Sequence, residues 1–429
     1  MTGPSRAQQG RRQRAGASAP ARDPLPFVVH SASVVRLPGI FLLCCVFSPG
    51  LDSSMSSPLH SLHEQAGAEF QDYGGIAIVQ TFGHPQAEYA ALHKSAGLMD
   101  MPHRGLVELS GRDRLEFLNN LLTNQTYDKQ AKRPLAAGSG IYAFLLNAKG
   151  RIVTDLSVLE LGERTILELE KRMVQPLIQI IDRYLFSEQV KVADRSQTLC
   201  EFVLAGPEAR QVLARHATHP LPDLAPLASC VLDIAGRQVV VYRDDICAAE
   251  AYGLIVESGA AEELWRCLAG PHLARGAESA VSHVPRPVGW AAFNACRIER
   301  GRPLFGIDFD ETVLPAETGQ LGRAVSFTKG CYLGQEIVAR MHSRGQVARR
   351  IATIRMRGEA LPVAGSKVYD HEGNEVGVVT SSTISPVLSN TALVLAMLKR
   401  PFFEPGTELV LPAEGAMHPG TVVVPPFLP

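Results

Sequence analysis

From Ser61 onward the chain alternates between helical and strand-like hydrophobic periods, and then loses its helices altogether. Ser61–Phe70 and Gln86–Ala96 place apolar residues at helical spacing ahead of Gly97-Leu-Met-Asp100, and Leu106–Leu109 alternates like a strand. Gly111-Arg112-Asp113 opens a helix with Leu115, Leu118, Leu121 and Leu122 on one face. The strands Ile141–Leu146 and Ile152–Leu159 flank a turn-forming tetrad, Asn147–Gly150. Thr165–Leu169 extends their sheet, and Gln175–Phe186 carries Leu177, Ile180, Ile181 and Tyr184 as a helical stripe. A second round follows: strand Glu201–Leu204, helix Pro207–His216, strands Gln238–Tyr242 and Tyr252–Val256, helix Ala260–Leu268. Because the strands arrive in adjacent pairs, the pattern predicts α+β layers rather than a doubly wound sheet. No G-x-G-x-x-G opens a helix, which argues against a Rossmann domain.

After about residue 350 the texture changes. Ile351–Met356, Lys367–Tyr369, Glu375–Ser382, Thr391–Leu398, Glu408–Leu411 and Thr421–Val424 are short strands separated by Gly and Pro turns, which predicts a small antiparallel barrel. The boundary falls near Gln346–Arg350. The expected organisation is an N-terminal extension over 1–54, a first α+β unit from 55–160 with 270–346, a second over 161–269, and a barrel over 347–429. No repeat of 20–50 residues suggests a solenoid.

Charge narrows the function. Lys+Arg and Asp+Glu nearly cancel to a formal −1, so no whole-protein field gathers nucleic acid, and DNA is not an expected partner. The eight cysteines include no C-x-x-C, and there is no H-E-x-x-H, so a zinc or self-contained iron–sulfur site lacks its usual local spacing and no metal is expected. Scattered single cysteines suit a reducing, cytoplasmic setting. In the extension, Arg11, Arg12 and Arg14 precede an apolar stretch from Val28 to Phe47. That order fits a signal peptide, but Arg36 and Pro38 interrupt it and no small-x-small cleavage site follows. The preferred expectation is a disordered extension ahead of a start at Met55. No run approaches the ~20 apolar residues of a membrane span.

The richest segment is Lys329-Gly-Cys-Tyr-Leu-Gly-Gln-Glu-Ile-Val-Ala-Arg340. Gly334 suits an N-cap, followed by a helix through His342 that stops at Gly345. Glu336 lies in its first turn, where negative charge suits the helix dipole, and stands i,i+4 from Arg340. Cys331, just ahead of that N-terminus and two residues from Lys329, is either a thiol activated by amide N–H groups and a cation or a buried, inert one.

This segment resembles the K-G-C-[FY]-x-G-Q-E-x-x-x-R signature of the YgfZ proteins and their mitochondrial iron–sulfur assembly relatives, a branch of the glycine-cleavage T-protein superfamily. Asn294–Gly306 is similar to that superfamily's R-x-E-x-G-x-P-x-x-G block, Pro315 with Glu317 to its P-x-E segment, and Gly111–Asn124 and Lys149–Asp155 to further elements. The likeness runs from about residue 62 to 429 and implies a three-domain ring, two ferredoxin-like α+β units and a barrel, with folate in the central opening. It implies tetrahydrofolate or a one-carbon derivative as cofactor, and iron–sulfur enzymes or their assembly proteins as partners. Cys331 and Asp155 become the candidate reactive groups, Asp155 alternatively a turn cap. Tyr332, Gln335 and Glu336 belong to the candidate site through the same motif. Glu250 is the loose counterpart of a pterin-binding acid, or else a surface residue. Arg297, Lys329 and Arg340 supply cations for folate carboxylates or for structural ion pairs, and Asn124 either bonds ligand or caps. An aminomethyltransferase of glycine cleavage and a non-enzymatic, folate-regulated scaffold are the alternatives.

Overall fold

The computed structural model describes residues 33–37, 40–44, 57–272, 283–345 and 347–427. An antiparallel sheet, a mixed sheet and a closed barrel form its frame. The first sheet orders Lys191–Asp194, Arg104–Ser110, Arg164–Glu170, Ile152–Glu160 and Gly140–Leu146 side by side, all antiparallel. Alternation divides its faces. Val107, Leu109, Ala143, Leu145, Leu156 and Val158 pack under the helices Arg114–Leu121 and Val174–Tyr184. Leu106, Tyr142, Phe144 and Ile166 point the other way, toward Val240, Tyr242 and Ile255 of the second sheet. Burial on both faces explains the nearly unbroken apolar run Ile141–Leu146.

The second sheet runs Ser229–Ile234, Arg237–Arg243, Ala251–Glu257, Leu199–Ala205, Gly97–Asp100 and Arg286–Pro287, the last pair parallel. Its outer face carries the helices Ala209–His216 and Ala261–Ala269, with Trp265 fully buried among Phe202, Leu254 and Leu264. The sheets interleave across the expected division at residue 160, because Arg164–Glu170 joins the first sheet and Gly97–Asp100 the second. The six expected C-terminal strands close into a barrel in the order Arg349–Met356, Thr391–Lys399, Glu375–Ser385, Lys367–Tyr369, Glu408–Ala413, Ala416–Val423. The helix Trp290–Glu299, buried along most of its length, wedges between the helix Pro85–Lys94 and the barrel.

Two expectations are corrected. The helix expected over Ser61–Phe70 is only His60–Gln65; Gly67 turns the chain with φ +83°, and Glu69–Tyr73 pairs antiparallel with Ile76–Thr81. In the extension expected to be disordered, Ser33–Leu37 and Ile40–Cys44 form an antiparallel pair. The rest of that extension lies outside the described residues. No described helix is long and apolar enough to cross a membrane.

Candidate active site between the sheets

Asp155 lies within the strand Ile152–Glu160, not in the turn that precedes it, so the turn-cap alternative falls. The register slips between Ile152 and Thr154, and this bulge sets the phase of the rest of the strand. Leu156 and Val158 then face the helices, while Asp155 and Ser157 face a cavity between the two sheets. There the Asp155 carboxylate is 6% exposed; Oδ2 accepts a 2.8 Å hydrogen bond from the Tyr142 hydroxyl, and Oδ1 has no partner among the described residues. Opposite, from the second sheet, Glu201 repeats the arrangement. Its Oε1 accepts from the Tyr242 hydroxyl and its Oε2 has no partner among the described residues.

Both carboxyls are pushed above their ordinary range, chiefly by burial. For Asp155 the Arg104 guanidinium and the Tyr142 hydrogen bond work against that shift; for Glu201 the Glu168 charge adds to it. Asp244, on the same cavity, is raised to about 6 by burial and by its neighbour Asp245. Cations balance the acids. Arg104 is paired with Glu168, and the Arg323 guanidinium lies 4.3 Å from the Tyr142 ring centroid. Burial, reinforced by Arg104, Arg172 and Lys171, holds the His103 imidazole neutral. Two acids with free, desolvated oxygens, fixed by tyrosines, can accept N–H donors from a ligand and exchange a proton with it.

The space is tight, about 60 Å³. A larger cavity of about 370 Å³ runs between the Trp290–Glu299 helix and the barrel, but its lining is mostly apolar and its buried cation, Arg297, is committed to Asp308. The chemistry therefore points to the smaller one.

Of the residues singled out from sequence, only Asp155 lines this cavity. Asn124 clamps backbone: its amide donates to the carbonyls of Tyr142 and Arg323 and its Oδ1 accepts from Gln125 N–H. Glu250 accepts from the Tyr252 hydroxyl and lines a separate cavity with His93 and Cys296. Arg297 is fully buried, paired with Asp308, and borders the larger cavity rather than the one around Asp155. The motif segment alternates about its own axis. Lys329 and Tyr332 turn inward, whereas Cys331 is exposed and outside the cavity that holds Asp155. Gly334, in left-handed conformation at φ +78°, does start the helix Gln335–Arg344, and Gly345 ends it. Glu336 and Arg340 are exposed on that helix and form no ion pair among the described residues; Gln335 is half-buried. The helix sits on the outer side, with Gly334 against Asn147 and Gly150 against Ile337.

Lys329 is the anchor of this segment. Its ammonium donates to the backbone carbonyls of Asn119, Leu122 and Asn124, and lies 4.9 Å from the Tyr332 ring centroid. Burial and the nearby Lys129 push it down toward about 7, while three acceptor carbonyls favour the charged form. Lys329→Ala leaves those carbonyls without their donor. We expect it to cost about 2–3 kcal/mol in urea unfolding; an unchanged midpoint would mean that water replaces the ammonium without loss.

Sequence reading missed Glu201, Tyr142, Tyr242, Asp244, Arg104 and Arg323. A signal was present: Glu201 is an acid set into the otherwise apolar strand Leu199–Ala205.

Comparison with known proteins agrees with this architecture. Residues 59–329 match the GCVT N-terminal domain, and residues 349–428 match the glycine cleavage T-protein C-terminal barrel domain. The chain belongs to the glycine cleavage T-protein family. An aminomethyltransferase of Shouchella clausii is 30% identical over 380 residues, covering 87% of this chain and 97% of the relative. One from Chloroherpeton thalassium is 26% identical over 373 residues, covering 87% and 98%. The crystal structure of the glycine cleavage system aminomethyltransferase T of Bartonella henselae shares the fold, with a TM-score of 0.76 at 23% identity over 88% of this chain and 98% of that one.

Proposed function

We propose that the chain binds a reduced folate in the cavity around Asp155 and Glu201 and acts there as an aminomethyltransferase. One observation carries the reading: two buried carboxylates from different sheets each have one oxygen held by a tyrosine and the other without a partner among the described residues. The adjacent N–H and NH2 donors of a pteridine fit such oxygens. Tetrahydrofolate, when bound, supplies the nitrogen that takes up the one-carbon unit. Glu201 then serves recognition through Oε2, and Asp155 holds or releases a proton at Oδ1 while Tyr142 keeps Oδ2 in place. The curated relatives named aminomethyltransferase support this reading over the iron–sulfur role expected from the YgfZ-like motif. The full chain, given an aminomethylated lipoyl carrier and tetrahydrofolate, should form methylene-tetrahydrofolate. Folate binding without turnover would defeat the transferase reading.

A second reading keeps the YgfZ-like assignment, and Cys331 favours it. Among the described residues it is the one exposed cysteine, and it stands in an intact K-G-C-Y-x-G-Q-E-x-x-x-R run. From that position it would meet a partner protein, such as an iron–sulfur enzyme or its assembly factor, rather than the folate carbon. Cys331→Ser should then fold normally but fail to restore iron–sulfur enzyme activity in a deficient strain. Full rescue by the serine variant removes the thiol from the function.

A further inference from the structure

His93, Cys296 and Glu299 stand apart from the cavity of Asp155 and take no part in the chemistry above. Cys296 and Glu299 are three residues apart on the helix Trp290–Glu299, so they share a face. His93 comes from the last turn of Pro85–Lys94, which packs against that helix. Their donor atoms converge. His93 Nε2 lies 3.4 Å from Cys296 Sγ and 3.1 Å from Glu299 Oε2, and all three atoms are within 4.8 Å of one another. Ligands around tetrahedral zinc, with bonds of roughly 2.0–2.3 Å, are about 3.3–3.8 Å apart.

The carboxylate is held as a ligand would be. Glu299 Oε1 accepts from the Tyr89 hydroxyl at 2.6 Å and from the Ser385 hydroxyl, which fixes the group. Glu299 Oε2, on a residue 2% exposed, has no hydrogen-bond partner among the described residues; its contact with His93 is one of distance alone. An unpartnered buried oxygen is costly unless something takes it. The cluster borders a cavity of about 280 Å³, lined also by Cys247, which leaves room for a fourth ligand.

We propose that His93, Cys296 and Glu299 form a zinc-binding site. A thiolate, an imidazole and a carboxylate suit zinc, whereas magnesium and calcium prefer oxygen ligands alone. The thiolate and carboxylate together neutralise the ion. Cys296 releases its thiol proton to solvent as the sulfur–zinc bond forms, one proton per ion. Bound there, zinc ties Pro85–Lys94 to Trp290–Glu299, and through Ser385 to the barrel. The absence of C-x-x-C spacing hides such a site, because its ligands come from helices two hundred residues apart in sequence.

Cobalt titration of the metal-free full-length chain tests this. One equivalent of Co2+ should give a tetrahedral spectrum with a sulfur-to-cobalt charge-transfer band, displaced by Zn2+. Cys296→Ser should abolish the band, and His93→Gln, which keeps the thiol, should weaken zinc binding at least about tenfold. Cys331→Ser, which removes the exposed thiol, should leave both unchanged. A charge-transfer band that survives in Cys296→Ser, one that vanishes in Cys331→Ser, or failure of the wild-type chain to bind a full equivalent overturns the site.

Discussion

Asp155→Asn should lower one-carbon turnover by about 10²- to 10⁴-fold while leaving the melting midpoint at pH 8 unchanged or higher. The amide keeps an oxygen to accept from Tyr142 but neither holds nor releases a proton at the position of Oδ1. Stability follows from the direction of the pKa shift. Burial raises the folded carboxyl above its ordinary 3.8, so the native state binds the proton more tightly than the unfolded chain does. Well below 3.8 both states are protonated and the burial has no ionic cost. As pH rises from 3.8 to the raised value the unfolded chain ionises first, and the wild type loses stability relative to the asparagine variant; above that value the difference is constant. Asp244→Asn should behave alike, its gain growing between about 4 and the raised value of about 6. Thermal melts from pH 3.5 to 8 alongside turnover measure both effects. A lower midpoint for Asp155→Asn at pH 8 would make this carboxylate a structural group and its loss of activity a matter of unfolding.

The architecture is legible in the sequence because it depends on period. The paired strands Gly140–Leu146 and Ile152–Glu160 show near-continuous apolar runs, those of the barrel show spacing by Gly and Pro, and both kinds appear where expected. The short, mostly exposed edge strand Lys191–Asp194 carries no such run and is not among the expected strands. The helix Gln335–Arg344 is legible from its two bracketing glycines, each of which adopts the left-handed conformation that favours glycine. The site is less legible, since its residues meet only after folding. Asp155 stands out through its motif, but Glu201 carries no motif and reaches the cavity because one sheet packs on the other. Cys331 departs from expectation for a local reason. The segment leaves an activated thiol and a buried, inert one equally open, and the ammonium of Lys329 and the ring of Tyr332 occupy the inward positions, which leaves the sulfur in solvent. Charge type alone does not say whether an arginine waits for a ligand or already has a partner.

Arg297 has a partner, and its removal should give the largest stability loss of any single substitution considered: about 3–5 kcal/mol for Arg297→Ala. The guanidinium and the Asp308 carboxylate are both fully buried and bonded to each other. Arg297 also donates to Asn294 Oδ1 at 2.9 Å, to the Arg302 carbonyl at 3.1 Å and to Ser381 Oγ at 2.7 Å. Asp308 accepts in addition from Leu304 N–H, Thr380 and Ser381. One ion pair thus closes the loop after the Trp290–Glu299 helix and fastens it to the barrel strand Glu375–Ser385. Alanine leaves the Asp308 charge desolvated and uncompensated, and that penalty, rather than the lost attraction, dominates. A second prediction separates the two contributions. Arg297→Ala with Asp308→Ala should lose clearly less than the sum of the single changes, because the double variant buries no lone charge. Urea midpoints of the four proteins measure the coupling. Additive losses, or a cost below about 1 kcal/mol for Arg297→Ala, would mean that water reaches the pair and that the helix and barrel are held by apolar packing instead.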